Sequence, residues 1–153
     1  MKFRPDFPLP DPDFAPTRPF WEAAARATLA LPRCDACGRL VWYPDGPCRW
    51  CAATARTWTP VSGRGRLFSW SVVHRAFIPQ LAEQVPYVTG LVVLEEDPAV
   101  RLVTLVVDCA PAALRIDAAM RAVFRPLRFP TVPDREVIVP MFRPLAGRSE
   151  IGP

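Results

Sequence analysis

Histidine is almost missing from this chain: His74 is the single one in 153 residues, which excludes a metal site built from several imidazoles. No G-x-S-x-G or similar nucleophile elbow occurs, so a hydrolase triad around that histidine lacks its nucleophile. Apolar runs are too short to span a bilayer, and the opening Met1–Asp6 segment lacks the apolar stretch of a secretory signal. These absences predict a cytoplasmic protein with no membrane partner, in a compartment where thiols stay reduced. Blocks of one charge sign are missing too. Residues 1–60 carry eight basic and six acidic side chains and residues 61–153 eleven and nine, so the net charge of +4 is evenly spread. Every basic residue except Lys2 is arginine, and their scatter speaks against a nucleic-acid tract.

Five cysteines are present, and four fall in a C-x2-C-x10-C-x2-C pattern: Cys34, Cys37, Cys48 and Cys51. Two thiolates two residues apart can grip one ion from a tight knuckle. Two such pairs complete a tetrahedral shell and leave no position for water or substrate. The pattern predicts a structural metal site, and four thiolates suit either zinc or iron. Gly38 follows the first pair, where the knuckle calls for a cramped or left-handed backbone. Leu40–Tyr43 reads as a strand, Pro44–Pro47 as a turn and Thr57–Val61 as the returning strand. Two short hairpins pinned by one ion make a zinc ribbon, with too little core to fold without its metal. The fifth cysteine, Cys109, ends an apolar run and reads as a buried small hydrophobe.

Six of the prolines lie within the first nineteen residues and predict an extended arm over 1–16, punctuated by Phe3, Phe7, Leu9 and Phe14. Thr17 as N-cap and Pro19 in the first turn open a helix over about 18–28. Phe20 and Trp21 are its apolar anchor, facing either the rest of the chain or a partner subunit. After the turn Ser62–Gly65 the texture changes to strands. Arg66–His74 alternates, with Phe68, Trp70 and Val72 on one face and Leu67, Ser69, Ser71 and Val73 on the other. Tyr87–Leu94, Val100–Val107, Arg121–Leu127 and Glu136–Phe142 follow, with a helical turn at Pro111–Leu114 and a bend or bulge at Gly90. Five strands without a long amphipathic helix predict a small Greek-key barrel of OB-fold type. The chain therefore reads as mainly β: arm 1–16, helix and ribbon 17–61, barrel 62–145, tail 146–153.

The order of motifs is specific. It runs from Thr17-Arg18-Pro19-Phe20-Trp21 through Cys34-x-x-Cys37-Gly38, Tyr43-Pro44 and Cys48-x-x-Cys51. Ser62-Gly63-Arg64-Gly65, Ser71-Val72-Val73-His74-Arg75, Pro86-Tyr87 and Val139-Pro140-Met141-Phe142-Arg143-Pro144 complete it. Over residues 14–145 this resembles the acyl-CoA-associated proteins that join a rubredoxin-like zinc ribbon to an OB-fold, long catalogued as a domain of unknown function. The resemblance implies zinc over iron. It also implies a non-catalytic accessory subunit that bridges or stabilises a thiolase-fold enzyme, a lipid-transfer-type aldolase or a MaoC-like hydratase in acyl-CoA, lipid or steroid metabolism. Some such proteins are expected to help shape a path for a CoA thioester. The chain departs from the family at Arg49, directly after Cys48, where a proline is usual, and at Ala118 and Ala119, where a glycine turn is common.

Other candidate sites rest on single residues. Arg64, Arg66 and Arg75, with His74, could meet the phosphates of CoA or a partner through bidentate hydrogen bonds. His74 and Arg75 open the long Ala76–Gln84 loop, although a polar strand end is the commoner account of such residues. Glu95-Glu96-Asp97 is the sole acidic cluster and reads as a solvated turn. Phe68, Trp70 and Tyr87 could stack bases, which keeps a nucleic-acid-binding ribbon and OB module as the alternative function, though such aromatics are more often core.

Overall fold

Proline opens the first element and an unexpected residue closes it. The computed structural model describes residues 11–77, 82, 85–129 and 132–145, so most of the expected arm, the middle of the 76–84 loop and the 146–153 tail lie outside the described residues. Helix α1 covers Arg18–Ala25, with Pro19 in its first turn, where a missing N–H costs nothing. Thr17 precedes it, buried, but its hydroxyl reaches back to the Phe14 carbonyl instead of capping the helix. The helix stops three residues short of the expected 28. Ala27 takes a left-handed φ of 54°, its N–H bonds to Ala24 O, and Thr28 N–H bonds to Ala23 O. That double closure normally uses glycine, so the stop was invisible in the residue types.

Strand β1, Ala30–Cys34, pairs antiparallel with β2, Arg56–Pro60. The returning strand is therefore close to its expected place, but its partner is the segment before the first knuckle. The expected strand at Leu40–Tyr43 shrinks to one bridge, Leu40 to Arg33. The reason is visible in the donors: Val41 N–H bonds to the Pro32 carbonyl at 2.8 Å, but Pro32 has no N–H to return the bond and the ladder goes no further.

Five strands close a barrel: β3 Arg64–Val73, β4 Tyr87–Leu94, β5 Arg101–Val106, β6 Ala119–Phe129 and β7 Val132–Pro144. Their order is β3-β4-β5-β7-β6, with β6 returning to β3. Only β5 and β7 meet in parallel, at Val106 and Phe142, and this order is that of a five-stranded OB-fold. Leu67, Val92, Leu94, Val100, Met120 and Phe142 fill the interior. The same cluster includes Leu29, Leu31 and Leu40 from the ribbon side, so ribbon base and barrel share one core. No helix among the described residues is long and apolar enough to cross a membrane.

The alternation expected along β3 is broken. A bulge between Leu67 and Ser69 adds one residue, so Leu67 points in, Phe68 swings out to 44% exposure, and Trp70 and Val72 pack against the core. Phe68 thus leaves the face it was expected to share with Trp70 and Val72. Gly90 is not the bulge; it sits in regular register between Trp70 and Thr104. Its missing side chain leaves room for a neighbour: a Cβ there would lie 2.7 Å from Val106 Cγ2 and 3.2 Å from Leu67 Cδ1. We expect Gly90→Val to overpack the barrel and lower its stability by about 1–3 kcal/mol in a urea titration; an unchanged midpoint would show that the interior is looser than this packing implies.

Candidate metal centre and its surroundings

The two cysteine pairs are built alike. After each second cysteine the chain turns left-handed, at Gly38 (φ 72°) and at Ala52 (φ 60°). The N–H of that residue donates to the first cysteine's carbonyl, Gly38 to Cys34 at 2.9 Å and Ala52 to Cys48 at 2.7 Å. The first cysteine's own N–H then reaches the carbonyl one residue further on, Cys34 to Arg39 and Cys48 to Ala53. Each knuckle thereby turns its amides toward sulfur. The Trp50 N–H, followed by that of Cys51, pulls the Cys48 thiol down to about 7. The amides of Cys37 and Ala36 lower Cys34 in the same way. Cys37 and Cys51 go the other way: the Ala53 amide pulls Cys51 down, but the Cys34 sulfur and burial push it up to about 12, so the first cysteine of each pair is the readier thiolate for a metal.

The four sulfurs lie within 4.8 Å of one another. Across the knuckles, Cys34 Sγ is 3.5 Å from Cys51 Sγ and Cys37 Sγ is 3.7 Å from Cys48 Sγ. An ion bound tetrahedrally by thiolates at about 2.3 Å needs sulfurs about 3.8 Å apart. The quartet fits such an ion and could hold it. With Cys34 and Cys48 buried and four protein ligands supplied, the shell is closed, which suits structure and not turnover.

The acidic turn is solvated at Glu95 and Glu96 but not at Asp97. Asp97 is 5% exposed and sits at the joint between ribbon and barrel. Its carboxylate takes two hydrogen bonds from the Arg39 guanidinium, both at 2.8 Å, and one each from the Leu40 and Ala99 amides. Glu96 accepts from the Ser62 amide at the other end of the ribbon. Arg39 and Arg49 flank the ring of Trp50, with guanidinium carbons 4.3 and 5.0 Å from its centroid, and Arg49 also reaches the Ala99 carbonyl. Arg49 and Trp50 therefore brace the second knuckle against the β4–β5 loop. A sequence signal existed, an aspartate followed by proline in a turn, but its partner lies 58 residues away.

The remaining candidate residues are not gathered into one site. Arg64 and Arg66 begin β3, whereas His74 and Arg75 follow its other end, about 25 Å away at the usual rise of an extended strand. Phe20 and Trp21 pack on the chain itself: Phe20 lies 5.0 Å from Trp42, and Trp21 lies 6.1 Å from Phe129, centroid to centroid. They line a cavity of about 400 Å³ between α1, Trp42-Tyr43 and the outer side of β5, β6 and β7. Trp42 and Phe129 were not expected there, because only the fold brings them together. Cys109 is half-buried against the core, and burial, followed by the neighbouring Asp108 carboxylate, pushes its thiol up, the wrong direction for a nucleophile.

A four-cysteine ribbon consistent with a zinc ribbon, set on an OB-fold barrel, defines the class of this molecule. Residues 58–125 match the model of the C-terminal OB-fold domain of ChsH2. The chain belongs to the DUF35 family. It is 33% identical over 97 residues to a DUF35 domain-containing scaffold protein of Methanocaldococcus jannaschii, covering 63% of this chain and 67% of that one. It is 35% identical over 133 residues, 86% of its length, to a "probable enoyl-CoA hydratase alpha subunit" of Thermomonospora curvata, of which it spans 38%. Among solved structures the Ltp2-ChsH2(DUF35) aldolase superposes with a TM-score of 0.72 at 29% identity, covering 90% of this chain and 98% of that one.

Two outcomes follow from the centre and its joint. Replacing Cys37 or Cys51 by serine should abolish metal retention after dialysis and expose the ribbon to protease, since binding and folding are one event there. Arg39, followed by the amides of Ala99 and Leu40, holds Asp97 below the ordinary carboxylate range, so its stabilisation is complete above about pH 4 and is lost as pH falls through the lower folded value. Asp97→Ala should cost about 2 kcal/mol near neutral pH, a figure kept modest because Arg39 is partly solvated, and should flatten the acid limb of the stability curve.

Proposed function

We propose that this chain is a non-catalytic accessory subunit that docks on and stabilises an enzyme of acyl-CoA, lipid or steroid metabolism. The partner class that fits best is a thiolase-fold or lipid-transfer-type aldolase subunit, with a MaoC-like hydratase the other candidate. Support comes from the company its relatives keep: two are named scaffold proteins, one a hydratase subunit, and one structure pairs the related domain with an aldolase. The observation that carries the reading is the outer face of β4 and β5. The inner faces of these strands already supply core, through Val88, Val92 and Leu94 and through Leu102 and Val106. Yet Leu91, Val93 and Leu105 line the outside half-covered, and Val103 is 78% exposed beside Leu91. An antiparallel sheet normally turns a polar face to water, so an apolar one fits a surface covered by another protein.

The same face weighs against the nucleic-acid reading. OB-folds seat oligonucleotides on this part of the barrel using exposed aromatics and cations. Here the face is chiefly leucine, valine and threonine; its one cation, Arg101, already lies over the exposed Phe68 ring at 4.0 Å, and Trp70 and Tyr87 are half-buried. Zinc is the ion that suits the closed thiolate cage of a scaffold, because a structural ribbon has no use for a redox couple. Reduced cysteines of this kind belong in the cytoplasm. Arg64 and Arg66, or His74 and Arg75, would contribute to a CoA-thioester path only where the partner brings the substrate to them.

Co-expression with an adjacent thiolase-fold, aldolase or hydratase subunit should yield a stable complex with one zinc per chain and no thioester turnover by this chain alone. Val103→Glu, a change at a solvent position, should leave the thermal midpoint unaltered yet weaken that complex at least about tenfold. A chain that stays solitary beside each candidate, or a red iron-bearing sample, would overturn the reading.

A further inference from the structure

Three arginines stand side by side across three strands. Arg64 on β3 is the direct partner of Arg121 on β6, and Arg121 is in turn the partner of Arg143 on β7. Directly opposed residues of antiparallel strands share a face, with Cβ atoms about 5 Å apart. Their neighbours Gly65, Met120 and Phe142 are buried in the barrel, so the three arginines point outward, and all are exposed. Arg66, two residues along β3, adds a fourth guanidinium to the same face and donates to the Asp117 carbonyl at 3.2 Å.

Among the described residues none of these four arginines is ion-paired; the pairs present use Arg39, Arg125, Arg128 and Arg135. Glu95 lies beside the row, its N–H bonded to the Arg64 carbonyl, without bridging to the guanidinium. Like charges directly opposite one another destabilise a sheet. Such a row opposes folding, and among the described residues no carboxylate bridges to it, which points to an anion supplied from outside. The row spans three neighbouring strands of the barrel exterior, and neither of the cavities of about 400 and 480 Å³ includes any of the four residues. A small anion is ordinarily held in a concave site, whereas planar forks spread over three strands suit carboxylates spread over another protein's surface.

We infer that the β3–β6–β7 face docks an acidic, carboxylate-bearing surface of a protein partner. The row continues onto the apolar β4–β5 face through Arg66, whose direct neighbour is Val93. The inference therefore rests on the accessory-subunit reading and adds the charge that the partner must present.

A labelled polyglutamate peptide, titrated into the zinc-loaded chain at low salt and followed by anisotropy, tests it. Binding should weaken with added salt and fall at least about fivefold in Arg121→Glu. Arg121→Gln should also bind more weakly while raising the thermal midpoint by roughly 1–3 °C, because it relieves two cross-strand repulsions. A merely structural arginine would lower that midpoint. No peptide binding, equal binding by the variants, or displacement of the peptide by micromolar pyrophosphate or single-stranded DNA overturns the inference. In the enzyme complex, Arg121→Glu should weaken assembly as Val103→Glu does. If only Val103→Glu does so, the acidic contact is wrong while the accessory reading stands; if the wild-type chain forms no complex, it is that reading that fails.

Discussion

The Asp97 carboxylate is the point through which ribbon and barrel know each other's position, because four donors from two sides converge on it. Arg39 and Leu40 come from the stretch just beyond the first knuckle, and Ala99 from the β4–β5 loop of the barrel. A carboxylate this buried is tolerated only when its oxygens are filled by hydrogen bonds and a counter-charge, and both conditions hold here. The consequence reaches the metal centre. Arg39 is positioned by Asp97 and presses on Trp50, which lies inside the second knuckle. Closing the sulfur cage and seating the ribbon on the barrel are thus mechanically linked.

Beneath that joint lies an apolar cluster that does not respect the division between ribbon and barrel. Leu29, Leu31 and Leu40 pack into the same core as Leu67, Val100 and Phe142. The smaller cluster around Cys34, Val41 and Cys48 is all that the ribbon has of its own. So small a core cannot offset the entropy of ordering the knuckles, which leaves the ion and the barrel to do so. The surface tells the opposite story. Valines and leucines on the outside of β4 and β5, and arginines in a row across β3, β6 and β7, add nothing to the interior and oppose solubility or folding. Features that work against the isolated chain fit one that is covered in use.

The metal centre was legible because its information is local. Four thiols at fixed spacing meet wherever the knuckles fold, and Gly38 announces the first turn. The second turn was not announced, since Ala52 adopts the left-handed backbone without glycine, and the same substitution at Ala27 hid the end of α1. The strands were legible to within a few residues because their apolar runs are long. Their faces were less so: one extra residue at Phe68 reverses the alternation, and a bulge leaves no mark in residue type. The strand expected at Leu40–Tyr43 shrank to a bridge because Pro32, opposite Val41, has no N–H with which to continue the ladder.

What residue types and spacing determined alone is the chemistry available: a closed four-thiolate cage, a β-rich barrel and a chain poor in catalytic groups. Periodicity and ligand spacing act over a few residues, so they survive in one dimension. Register, and everything that depends on it, was decided by the tertiary structure. Arg64, Arg121 and Arg143 become neighbours only once β3, β6 and β7 align, and Asp97 meets Arg39 only when the ribbon lies on the barrel. Which side chains share a face is a property of strand pairing, and pairing is set by the packing of the whole core.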